Sequence, residues 1–191
     1  MIIFRGIKSN LITQLFGKAN TNLGLLDMYH QLKLEGHNGF DFACDNGTTI
    51  YFPCSCKGTV IGTGIYNDGC VFVKILTNDD AGLLVHRFLH LKDVNVSPGQ
   101  IIESGDLIAH SNNTGKYSSG PHLHYDISPV VLDGNSYKYL SPENGYGGQI
   151  DPTLYFRNIY ILDYLAMQNQ QIINMKKIIT WLQELIYKLR G

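Results

Sequence analysis

No stretch of about 18 consecutive apolar residues, the length that marks a bilayer-spanning helix, occurs in the 191-residue sequence. Charge of neither sign is in excess, since 15 Lys and Arg stand against 16 Asp and Glu and the formal net charge is −1. That balance offers no basic field to hold a polyanion by counterion release, so nucleic acid is not an expected partner. The opening residues Met1 to Lys8 carry a few apolar side chains, but they have no preceding basic region, no sustained apolar core and no small-residue cleavage site, so no secretion signal is read there. Internal repeats are also lacking. The four cysteines, Cys44, Cys54, Cys56 and Cys70, contain a C-x-C pair but none of the paired C-x2-C spacing that builds structural zinc sites. Three readings stay open for them, in this order: buried free thiols, one disulfide, and a second metal site.

What remains is the composition of a globular chain with its own core, 44% apolar and 16% charged. Its length fits one domain with a small appendage. From Asp41 to Ile127 short β-branched and aromatic runs are cut by Gly, Asn and Asp: Thr49 to Phe52, Thr59 to Ile61, Val71 to Ile75, Gly82 to Val85 and His122 to Ile127. Strands at this spacing predict a mainly β protein with an antiparallel sheet. The Gly-, Asn-, Ser- and Tyr-rich stretch from Asp133 to Gly148 reads as an extended surface loop bordering a groove. After it the pattern becomes helical. Leu165, Ile172, Met175, Ile179, Leu182, Ile186 and Leu189 recur at steps of three and four, a heptad seam that Ile178 and Leu185 widen. The expected organisation is therefore a domain over 1–160 and a C-terminal α-helix over 161–191. Through residues 162–189 that helix either joins copies into a homo-oligomer, packs on its own domain, or lies at a membrane surface.

Seven histidines include two pairs with ligand-like spacing. His122 and His124 flank Leu123 on a strand, where residues two apart share a face, so one imidazole can bind a metal while the other lies beside it. His37 and Asp41 are too far apart on a straight strand, but Asn38-Gly39 between them is a favoured turn dipeptide that can aim both at one point. His90, in Arg87-Phe88-Leu89-His90-Leu91, sits among apolar neighbours that alternate as in a strand. His30, His86 and His110 lack such partners and read as structural or exposed.

His37-x3-Asp41, Phe88-Leu89-His90-Leu91 and His122-Leu123-His124 together resemble the three signatures of the lysostaphin-type (LytM-like) zinc endopeptidases, which hydrolyse peptidoglycan. The runs Cys44 to Ile50, Val96 to Ala109 and Asn113 to His124 agree with the same family, and the resemblance covers about Ile12 to Tyr155. It implies an antiparallel β-sheet scaffold, one Zn2+ per chain held by His37, Asp41 and His124, and His90 and His122 as catalytic histidines. It also implies a peptide substrate in the bacterial cell wall and an extracellular or virion-associated place of action. With no export signal read, delivery by a phage particle or a lysis system is the corresponding expectation. A non-catalytic wall-binding or virion structural module on the same fold is the alternative, and the complete ligand set argues against it. Two positions depart from the family pattern. Tyr29 stands near the place of a tyrosine that assists the transition state, but its spacing does not align and it is left out of the catalytic residues, and Phe88 stands where an aromatic with a hydroxyl is common.

Overall fold

Alternation of buried and exposed side chains through the middle of the chain produces a run of antiparallel strands. In this computed structural model residues 7, 12–18, 26–134, 136–156, 175, 178, 179, 182 and 183 are described. The strands are β1 (Ile12–Gln14), β2 (Phe40–Ala43), β3 (Thr49–Tyr51), β4 (Gly58–Ile65), β5 (Val71–Asp79), β6 (Gly82–Leu89), β7 (Leu91–Val94), β8 (Ile101–Ile102), β9 (Leu107–Ser111), β10 (His122–Asp133) and β11 (Ser136–Tyr139). A short helix α1 (Leu26–Gln31) and a 3-10 turn (Pro152–Tyr155) complete the described elements. Eight strands form one sheet in the order β1-β2-β10-β6-β5-β4-β8, with β11 paired to β10, and β3-β9-β7 form a second. Every strand pair is antiparallel.

Four of the five expected strands are present and longer, Gly82 to Val85 for example extending to Leu89, while Thr49 to Phe52 shortens to β3. Of the segment read as a surface loop after Asp133, Ser136–Tyr139 instead turns back as β11, pairing Ser136 with Asp133 and Tyr139 with Val130, while 140–148 hold no strand or helix. Cross-strand pairing along β10 supplies what local composition did not, because β preference is set largely by neighbours. All four cysteines are free thiols.

One face of the large sheet carries Phe40, Val73, Ile75, Leu84, Phe88, Leu123, Tyr125 and Ile127, all buried. Phe88 and Tyr125 meet with ring centroids 5.1 Å apart, and Phe52, just after β3, meets His86 edge-on at 6.4 Å. Each large side chain buried in this core contributes roughly 1.5–3 kcal/mol. A hydroxyl at Phe88 would need a partner within this apolar layer, so phenylalanine suits the position.

His86 is fully buried in the same layer, its Nδ1 2.7 Å from the Tyr125 hydroxyl and its Nε2 2.9 Å from the Thr77 hydroxyl. Burial lowers its pKa to about 4, against the pull of the Asp126 and Asp79 charges. The unfolded chain takes up this proton near the ordinary value of 6.5, whereas the folded chain resists until about 4. The stability it lends is thus complete above pH 6.5 and is lost as pH falls toward 4, an effect of about 3 kcal/mol. NMR titration is expected to show the His86 ring protonating near pH 4; protonation near 6.5 would contradict its burial.

The chain divides into two units, Met1–Arg157 and Asn158–Gly191. In the second, Met175, Ile178, Ile179, Leu182 and Gln183 are helical and exposed. The rest of the expected C-terminal helix, with the other residues of the heptad seam and any contact between copies, lies outside the described residues. Among the described residues no helix is long and apolar enough to cross a membrane.

Candidate metal centre

The face of β10 opposite the core builds the site. His122, His124 and Asp126 share that face, being two residues apart on a strand. Register places Asp41 of β2 directly across from His124, and Gln14 of β1 across from Asp41. His37 approaches from the segment before β2, tied by a bridge to Gly17.

Gly39 makes this approach work through its lack of a side chain. A Cβ there would lie 2.6 Å from the Tyr125 carbonyl oxygen and 2.7 Å from His124 Nε2. The Asn38-Gly39 pair read as a turn from sequence thus also clears the space in which β10 and the His124 ring lie. Gly39→Ala is expected to destabilise the protein by about 1–3 kcal/mol, as overpacking does, and to weaken metal binding. A thermal melt and metal titration matching the wild type would contradict the close contact.

Ring orientation is fixed by the partners on the outer side of each imidazole. His37 Nδ1 lies 2.9 Å from the Leu15 carbonyl, so Nδ1–H donates there and Nε2 is left bare. On His124 the outer nitrogen is Nε2, which donates to Asp126 Oδ2 at 3.3 Å and leaves Nδ1 bare. His37 Nε2 and His124 Nδ1 are 3.1 Å apart, and Asp41 Oδ1 lies 3.1 Å from the first and 2.9 Å from the second. With both imidazoles neutral, three lone pairs converging this closely repel one another unless a proton or a metal ion lies among them. Burial alone would raise the Asp41 pKa, but the charges and hydrogen bonds of His37 and His124 hold its carboxyl well below the usual range. Burial would likewise lower His124, yet its bonds to Asp126 and Asp41 push it up to about 9. The site therefore draws positive charge to itself.

This donor set fits a divalent metal ion. Among the described residues His37, Asp41 and His124 are the single group whose ligand atoms can hold one, all within 4.8 Å of one another. Two neutral imidazoles and a carboxylate leave a divalent ion at net charge +1 with a coordination position open, the pattern of catalytic sites.

His90 and His122 stand beside this group, their ring centroids 4.6 Å apart. Each donates Nδ1–H to a carbonyl, His90 to Thr114 at 2.7 Å and His122 to Gly120 at 2.8 Å, so both have Nε2 available for proton transfer. His122 Nε2 lies 3.7 Å from Asp41 Oδ1. His90 does not continue a strand as its neighbours predicted. It falls between β6 and β7 with φ 63, a left-handed backbone uncommon for histidine that marks a specialised position. Burial, with the charges of His124 and His122, lowers its pKa to about 4, so it is a neutral base at ordinary pH. Cys70 Sγ packs 3.6 Å from its Nδ1.

These groups open on a cleft of about 250 Å³ that Tyr29, Gln14 and Lys116 also line. Tyr29 reaches the cleft from α1 despite its unfamiliar spacing, with its ring 6.1 Å from that of His37. Burial and the nearby Asp41 charge raise its pKa, keeping the hydroxyl protonated. The Gln14 amide lies beside the Tyr29 hydroxyl and opposes that rise, while its Nε2 is the one buried side-chain atom among the described residues with no partner in hydrogen-bond geometry. Sequence reasoning passed over Gln14, Arg87 and Asp126. Strand periodicity from His124 could have pointed to Asp126, whereas Gln14 and Arg87 become visible only through register.

The profile of peptidase family M23 matches residues 35–138. Over 91 residues the chain is 37% identical to the peptidoglycan DD-endopeptidase ShyA of Vibrio cholerae serotype O1, covering 48% of this chain and 20% of that protein. Over 125 residues it is 35% identical to lysostaphin of Staphylococcus simulans, covering 61% of this chain and 24% of that protein. The chain therefore spans a quarter or less of the length of these two relatives. A crystal structure of a zinc-containing peptidase from Vibrio cholerae shares the fold with a TM-score of 0.55 at 23% identity, over 79% of this chain and 39% of that one.

Proposed function

The chain belongs to peptidase family M23, and from that premise we propose that it is a zinc-dependent endopeptidase hydrolysing peptide bonds in bacterial peptidoglycan. The observation that carries this reading is the convergence of His37 Nε2, Asp41 Oδ1 and His124 Nδ1 beside two histidines with available Nε2 atoms. Nitrogen and carboxylate ligands at an open site suit zinc, one ion per chain. When bound, zinc supplies a Lewis acid that polarises a carbonyl and brings the pKa of a water to about 7.

The remaining chemistry belongs to the side chains. His90 or His122 takes a proton from the attacking water at Nε2, and the pair delivers it to the leaving amine. Tyr29 donates its hydroxyl hydrogen to the oxyanion that develops on the scissile carbonyl. Gln14 offers a further amide donor to the substrate backbone. Two relatives support this substrate class, one a peptidoglycan DD-endopeptidase and the other lysostaphin. Action on that polymer goes with an extracellular or virion-associated place of work. A purely wall-binding module would not require three ligands, two oriented histidines and a protonated tyrosine around one cleft.

A zymogram on whole peptidoglycan separates the two readings. Clearing is expected with zinc, its loss with a chelator and its return on adding zinc back. Binding to the wall without clearing under every metal condition would favour the non-catalytic module.

A further inference from the structure

We propose that the half-buried Arg87 and the fully buried Asp126 form a positioning device for the metal centre, setting which nitrogen of His124 faces the ion. This rests on the metal-site reading above. Asp126 lies two residues beyond His124 on the same face of β10, fully buried, and Arg87 of β6 is its partner in the ladder. Arg87 Nε lies 2.9 Å and 3.0 Å from the two carboxylate oxygens, and a terminal guanidinium nitrogen lies 2.8 Å from Oδ2. A planar fork of this kind fixes the plane of the carboxylate as well as its charge. Asp126 Oδ2, held in that plane, accepts from His124 Nε2–H at 3.3 Å.

The consequence is chemical. An imidazole with Nε2–H committed to a carboxylate presents a bare Nδ1, and Nδ1 is the atom that meets Asp41 and His37. Without an acceptor at position 126 the ring is free to turn or to carry its hydrogen on the inner nitrogen, which would block ligation. Gly39 contributes by leaving room beside His124 Nε2. Asp126 and Arg87 touch neither substrate nor reacting atoms, and Asp126 acts through His124 alone. Outer partners of metal-bound histidines of this type typically change metal affinity by about 10–100-fold.

The test is zinc affinity, read by competition with a chromophoric chelator, for the full chain and three variants. Asp126→Leu removes the acceptor and leaves the Arg87 guanidinium without its carboxylate, so its fold is at risk. The double variant Arg87→Met/Asp126→Leu removes both charges of the pair together, a change that folds commonly tolerate, and its thermal midpoint is measured alongside. Asp126→Asn keeps an oxygen that can accept from Nε2–H. The expected result is a loss of about 10–100-fold in the double variant, with Asp126→Asn closer to the wild type. A purely structural pair would change the thermal midpoint without this ranking of affinities. Equal zinc affinity in the wild type, Asp126→Asn and the double variant would overturn the proposal while leaving the metal site standing. Failure of the wild type itself to bind zinc would overturn both.

Discussion

His124→Ala is expected to abolish metal binding and peptide-bond hydrolysis together. His124 is where the donor set is most interdependent, since its Nδ1 lies within 3.1 Å of both other ligand atoms. Alanine there leaves two ligands, His37 and the Asp41 carboxylate, and it also strands Asp126, whose acceptor oxygen loses the imidazole. The affinity loss should exceed the roughly 100-fold upper range seen when only an outer partner is removed. Metal content after dialysis and hydrolysis of purified peptidoglycan are the two readouts, and they should fall in the same variant. Retained hydrolysis in a metal-free His124→Ala protein would remove the basis for the ligand assignment.

His90→Asn gives the opposite dissociation, with zinc retained and turnover lower by about 10²–10⁴-fold, the usual contribution of a positioned acid or base. Asparagine is chosen because it accepts the left-handed backbone that His90 adopts at φ 63. The substitution then removes the imidazole without adding backbone strain. The His37, Asp41 and His124 atoms do not depend on His90 for their orientation, since their outer partners are Leu15 and Asp126. A variant with full zinc and unchanged turnover would take His90 out of the mechanism and leave proton transfer to His122.

The residues of the site were readable in the sequence because strand geometry makes short spacings meaningful. His122 and His124 share a face by periodicity alone, and the Gly-containing segment between His37 and Asp41 permits their approach. The main strands were readable for the same reason. Other features depend on contacts between distant segments. β11 follows from pairing with β10, although Ser136 and Lys138 alternating with Tyr137 and Tyr139 would pass for loop composition. The left-handed turn at His90 contradicts its strand-like neighbours, and local propensity cannot report such a backbone. Arg87 meets Asp126 only through the β6–β10 register, and Tyr29 reaches the cleft through the placement of α1. Local rules fail at His90 and in the shell around His37, Asp41 and His124, where a functional site asks for arrangements that regular structure does not supply.

Mass analysis of the fragments that the protein releases from purified peptidoglycan tests the central claim most directly. The account predicts products that differ from the starting polymer by hydrolysis of peptide bonds, each exposing a new amine and carboxyl group, released with zinc and not after chelation. Fragments cut at glycosidic bonds, or peptide-bond products released equally under chelation, would contradict it.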